Sequence, residues 1–253
     1  MMKSWRLGTV LGFPVDLNVS FLLLLGLVFV AFGGFTGVVL VSLVFASVVL
    51  HELGHALVAR QLGVRVSGIE LSFFGGAAKM VQLPRTANHE LLIAAAGPAV
   101  SLMLGGAGLG LASVFHSPLL GWLGYTNLIL AGFNLIPALP MDGGRILRAL
   151  LTRKMDFVRA TDVAVKVARA VAVAFAVFGL MTGAYQLVLL APFLWLMGSR
   201  EQVLARMMAD RYAYSQDGYV ERTQRWDEAR YAAPQLRRFT IRQRGGRLVI
   251  EEL

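Results

Sequence analysis

Residues 37–60 read GVVLVSLVFASVVLHELGHALVAR. The first fourteen are apolar or small, with Ser42 and Ser47 the only hydroxyls, and the run is long enough to cross a bilayer as a helix. Into it come three ionisable groups within five residues: His51, Glu52 and His55. Counted from Gly37, His51 stands ~21 Å along the span, inside a hydrocarbon core of ~30 Å. Ionisable side chains at that depth are costly, and they mark a site lined by protein or water. On a helix His51 and His55 share a face, so both imidazoles can reach one ion. Glu52 sits beside that face, where a carboxylate can accept a proton from a metal-bound water.

Working outward, the rest of the chain has the same apolar character. Of 253 residues, 57% are hydrophobic and 15% charged, too apolar a balance for an ordinary soluble domain. Six segments are expected to span or nearly span: 17–32, 37–60, 91–114, 119–136, 163–181 and 185–198. The net charge of +9 could point to nucleic acid, but no nucleic-acid partner is expected, because Lys and Arg fall in alternate loops. Arg60, Arg65, Lys79 and Arg85 lie between the second and third segments, and Arg145, Arg148, Arg153, Lys154 and Arg159 between the fourth and fifth. The loops near Gly34 and at 116–118 hold neither. Positive loops stay inside, which predicts both termini in the cytoplasm of a bacterial cell whose inner membrane holds the chain. Lys3 and Arg6 precede no small-residue cleavage site, so no removable signal peptide is expected.

The expected fold class is an all-α membrane bundle of about six helices with a hairpin-like strand pair on the membrane surface. Between 64 and 81, Val64, Val66, Ile69, Leu71 and Phe73 roughly alternate, Phe74 to Ala77 reads as a turn, and Lys79 to Val81 follows. Gly105, Gly106, Gly108 and Gly110 in the third segment suit close helix packing in lipid rather than chemistry. The membrane domain, which carries the candidate site, is set at 1–198. Residues 199–253 form a soluble cytoplasmic tail with 11 Arg and 8 acidic residues, whose 239–250 stretch reads as a hairpin around Gly245 and Gly246. A regulatory protein partner for this tail is the reading kept open for it.

With no cysteine in the chain, a metal site must use His and carboxylate ligands. Zinc asks for a third protein ligand beyond two histidines. Outside the tail the carboxylates are Asp16, Glu52, Glu70, Glu90, Asp142, Asp156 and Asp162, and only Asp142 closes an apolar segment near the depth of His51. His116 belongs to the opposite face of the membrane and His89 to an interfacial loop. Before Asp142, Pro137 and Pro140 break the helix and free backbone groups beside Asn134, a backbone tolerated at depth only next to protein or a water-filled cleft.

These motifs together resemble the site-2 protease family of intramembrane zinc metalloproteases. The resemblance rests on His51-Glu52-Leu53-Gly54-His55 and on the run Asn134-x-x-Pro137-x-x-Pro140-x-Asp142-Gly143. It extends to Ala96-Gly97-Pro98, Phe74-Gly75-Gly76 and Gly12-Phe13-Pro14-Val15, and so covers about residues 5–150. It implies Zn2+ held by His51, His55 and Asp142, with Glu52 as general base and Asn134, Pro137 and Pro140 holding substrate. The substrate implied is a transmembrane segment of another protein in the lipid bilayer, unwound locally and docked in extended form, with the 64–81 strands offering an edge. The chain departs from the family pattern in Met141, where Leu is commonest. The 60–90 loop has no room for a PDZ domain, and the tail is too short for paired CBS domains. The alternative from another class is a metal-ion or proton transporter built on the same buried groups, and a third reading is an inactive scaffold, which would need a lost motif residue.

Overall fold

The computed structural model describes residues 4–31, 34–72, 75–81, 84, 86–231, 239–244 and 247–252, with side chains up to residue 209. The chain opens on two strands, β1 (Ser4–Val10) and β2 (Phe13–Asn18), joined by a turn in which Leu11 and Gly12 take positive φ. Helix α1 (Val19–Ala31) leads to α2 (Phe35–Gln61), after which β3 (Val66–Ser72) and β4 (Gly75–Met80) return along the sheet. Then come α3 (Ala87–Phe115), α4 (Pro118–Asn134), the short α5 (Asp142–Leu151), α6 (Phe157–Thr182) and α7 (Tyr185–Tyr231). Strands β5 (Phe239–Arg244) and β6 (Arg247–Glu252) pair antiparallel. By contacts the chain divides into Met1–Ala205 and Arg206–Leu253.

The protein is mostly helical and membrane-embedded, and four of the six expected spans correspond to helices of full crossing length. Among the described residues four helical stretches are long and apolar enough to cross: Phe35–Gln61, Ala87–Phe115, Phe157–Thr182 and Tyr185–Ala209. The first expected span is a helix of only 13 residues, because Leu17 belongs to β2. The fourth, α4, has 17, about 26 Å of helix. The fold class also needs amending, since the surface strands are not a lone pair. They form a four-stranded sheet in the order β1-β2-β3-β4, parallel only between β2 and β3. The alternation of apolar residues in β2 was hidden in sequence because it runs directly into an apolar helix. Gly75 to Ala77, read as a turn, lie in β4, while Phe73, Phe74 and the expected hairpin turn at Gly245 and Gly246 are outside the described residues.

Close helix packing follows the small residues. A methyl group added at Gly105 would come within 2.6 Å of Leu128, and one at Gly108 within 2.8 Å of the Gly124 backbone, so α3 and α4 touch along this stripe. Gly106 and Gly110 face open space and take no part in it. Ser117 and Pro118 start α4, the hydroxyl of Ser117 accepting from the Leu120 amide. Between α6 and α7 the chain turns at Gly183, whose φ of 72° suits glycine.

The sheet is fastened to the C-terminal end of α2. Arg60 donates to the Leu11 carbonyl and lies 4.7 Å from the Phe13 ring centre, while Phe13, Leu53, Ala56 and Ile69 bury one another. This docking sets β4 alongside the helix face that carries Glu52, since a methyl group on Gly76 would come within 2.9 Å of the Glu52 side chain.

Candidate metal centre

His51 and His55 lie on one face of α2, 3% and 2% exposed, as their i,i+4 spacing requires. Their Nε2 atoms are 3.2 Å apart. The third corner comes from 87 residues further on: Asp142, first residue of α5, places Oδ2 3.1 Å from each Nε2. A tetrahedral zinc with bonds of about 2.0–2.2 Å sets its ligand atoms roughly 3.3–3.5 Å apart. The three atoms therefore sit within a few tenths of an ångström of the spacing one ion would impose.

The donor chemistry fits as well as the spacing. The Nδ1 of His55 lies 2.6 Å from the Ile93 carbonyl, which can only accept, so that nitrogen carries the proton. A neutral His55 then turns an unprotonated Nε2 toward a carboxylate oxygen and a second imidazole. His51 Nδ1 meets the buried Ser101 hydroxyl at 2.9 Å. Ligating histidines are commonly held through the far nitrogen in this way, which fixes tautomer and ring plane. Three lone pairs aimed at one point, with both far nitrogens engaged, is the donor set of a cation site. Glu52 lies close by: its carboxylate and the two imidazoles have ligand atoms all within 4.8 Å of one another.

Around the triangle is a cavity of about 200 Å³, lined among others by Glu52, Ala78, Asn134, Pro140 and Arg145. Glu52 does not join the triangle; its Oε2 accepts from the Ala78 amide of β4 at 2.8 Å. Asn134 donates to the Leu130 carbonyl one turn back in α4 and lines the cavity. Of the residues singled out from sequence, His51, Glu52, His55, Asn134, Pro140 and Asp142 meet around one space. Pro137 is exposed and does not line it.

Other contributors were not legible in the sequence. Ser101 and the Ile93 carbonyl are on α3, a helix with no ligand of its own. Gly97 of the same helix stands against both imidazoles: any side chain there would collide with the His55 and His51 rings. The Ala96-Gly97-Pro98 motif held this signal, but its reason appears only when α3 packs on α2. Gly143 and Gly144 let α5 start against the backbone of residues 135–139, where added methyl groups would strike Leu135, Ile136, Ala138 and Leu139. Arg145 faces the second oxygen of Asp142 at 3.8 Å.

Residues 39–118 and 110–175 match the profile of Peptidase family M50. The zinc metalloprotease MJ0392 of Methanocaldococcus jannaschii is 39% identical over 209 residues, 79% of this chain and 61% of that protein. The putative zinc metalloprotease sll0528 of Synechocystis is 42% identical over 173 residues, 60% of this chain and 45% of that one. The chain thus spans about half to three-fifths of the length of these relatives. Among solved structures, the site-2 protease from Methanocaldococcus jannaschii superposes with a TM-score of 0.63 at 38% identity, covering 79% of this chain and 95% of that one. These proteins are named as proteases, and the transport alternative draws no support from them.

Proposed function

The chain belongs to peptidase family M50, and on that premise we infer that it is an intramembrane zinc metalloprotease that hydrolyses peptide bonds in or next to transmembrane segments of other proteins. The observation that carries this is the triangle of His51 Nε2, His55 Nε2 and Asp142 Oδ2 with a non-ligating carboxylate, Glu52, beside it. Hydrolysis needs such a base beside the metal, whereas transport of a metal ion does not.

His51, His55 and Asp142 would hold the metal. Zinc in that position would supply Lewis acidity, lowering the pKa of a water toward neutrality and polarising the scissile carbonyl. Glu52 takes the proton of the attacking water on its carboxylate and delivers it to the leaving amine. Asn134 and Pro140 face the same cavity and would hold the substrate backbone, and Pro137 shapes the break that brings them there. Because a helix hides its peptide bonds, the substrate must be extended where it is cut. Strand β4 is an edge strand of the sheet and passes the site at Ala78, which supports docking of the substrate by strand addition.

For the wider setting, the proposal is a multi-pass protein of the bacterial inner membrane with both termini cytoplasmic, and residues 199–253 as the soluble segment available to a regulatory partner. The test of the reaction is Glu52→Gln, which keeps shape and hydrogen bonding but cannot take the proton. Purified in detergent with its zinc, this variant should cleave a transmembrane substrate at least about 10²–10⁴-fold more slowly than the parent. Parent-level cleavage by the zinc-loaded variant would end the mechanism, and absence of cleavage by the parent across a substrate panel would end the enzyme reading.

A further inference from the structure

Helix α3 supplies no ligand, yet it holds both histidines from behind, His55 through the Ile93 carbonyl and His51 through Ser101. The third ligand, Asp142, arrives on α5, a helix of ten residues. The glycine contacts of α5 are with residues 135–139 of its own lead-in. They stiffen the corner at Asp142 but refer it to nothing that carries a histidine. The link to α3 is elsewhere. Glu90, in the first turn of α3, and Arg148, six residues beyond Asp142, are each 5% exposed. Arg148 donates from Nε at 2.8 Å and from Nη2 at 2.6 Å to one oxygen of Glu90. Its Nη1 donates to Glu201 of α7 at 3.1 Å, and Phe157 covers the guanidinium face at 5.0 Å.

We propose that the buried Glu90–Arg148 pair is a positioning device for Asp142, so that α3 sets the placement of all three ligands. A planar guanidinium held by two donors on a carboxylate fixes direction as well as distance, which a greasy contact between two helices does not. Arg148 lies ~9 Å along α5 from Asp142, within the same two turns of helix. A rotation of α5 that loosened Asp142 would therefore have to break the fork. A buried pair of this kind is weak evidence for stability, because well-packed apolar residues do as well or better. Its directional hold on a ligand-bearing helix is what apolar packing would not replace.

The inference rests on the ligand set proposed above, and Asp142→Ala in the same preparations separates the two. The full chain, purified in detergent, is titrated with zinc against a chelator, and its cobalt-substituted form gives a visible spectrum that reports ligand geometry. In the double variant Glu90→Met with Arg148→Met, two flexible apolar chains fill the space; Glu201, which loses its Arg148 partner, is 34% exposed and turns to water. It should unfold near the parent's temperature, bind zinc about 10–100-fold more weakly, and show a cobalt band shifted toward that of Asp142→Ala. Arg148→Lys keeps the charge but not the fork, and should fall between double variant and parent. A pair with only a structural role would change the unfolding temperature and leave affinity and spectrum at parent values, which overturns the proposal. Should the double variant not fold, Arg148→Lys decides: parent affinity and spectrum overturn it, and a several-fold loss at the parent's unfolding temperature supports it. If Asp142→Ala itself binds zinc like the parent, the ligand set falls and the positioning role with it.

Discussion

Gly97 contributes by having no side chain. The space a β-carbon would need is taken by the His51 and His55 rings, so Gly97→Ala must push one imidazole off the line to its partners. Overpacking a buried contact costs about 1–3 kcal/mol, and here the strain falls on the ligands. Gly97→Ala should retain helical circular dichroism and lose at least ~10-fold in zinc affinity by chelator competition. Unchanged affinity would mean that α3 can back away without cost. Asn134 tests the cavity rather than the metal. Its amide nitrogen donates to the Leu130 carbonyl, and in the proposed role its oxygen accepts from a substrate N–H. One such hydrogen bond is worth about 0.5–1.5 kcal/mol, so Asn134→Ala should lower kcat/KM roughly 2- to 12-fold with zinc fully bound. Equal kcat/KM in variant and parent would remove Asn134 from substrate holding.

The elements that carry these residues have their own fastenings. In the sheet, Glu70 of β3 accepts from Asn18 at the end of β2 and pairs with Lys79 of β4, tying three strands together. These partners, Asn18 first, hold its carboxyl below the ordinary value of 4.5. A carboxyl depressed in the folded state stabilises the fold above its unfolded pKa, and that contribution is lost as pH falls from about 4.5 through the folded value. Removing Lys79 should bring the Glu70 pKa back up. In an NMR titration, Lys79→Met should move the Glu70 midpoint upward and leave zinc affinity at neutral pH unaffected. A midpoint that stays in place would show that Asn18 alone sets it. Because β4 holds the Ala78 amide against Glu52, loosening this clasp in acid also loosens a wall of the cavity.

At the scale of the whole molecule, the arrangement in the membrane follows from which loops carry charge. The proposal puts Ser117, at the start of α4, outside and Thr152, just after α5, inside. Since the chain has no cysteine, single cysteines at these two positions can be labelled in intact cells without background. An impermeant maleimide should label Ser117→Cys and spare Thr152→Cys until the membrane is opened; the reverse pattern would invert the map. The sequence by itself determined the chemistry that is local. His51 and His55 are one helical turn apart, so their shared face follows from the pitch of a helix, and the apolar runs follow from the thickness of a bilayer. It also drew attention to Asp142 by depth and elimination. What only the tertiary structure decided is everything that depends on chain segments far apart coming together. The meeting of Asp142 with His51 across 91 residues, the backing of both rings by α3, the room left by Gly97 and the reach of the Ala78 amide to Glu52 are such contacts. So is the union of β2 with β3, which turned an expected strand pair into a four-stranded sheet. Periodicity records which face of an element is apolar, but it does not record which other element that face will meet, and a metal site is made of such meetings.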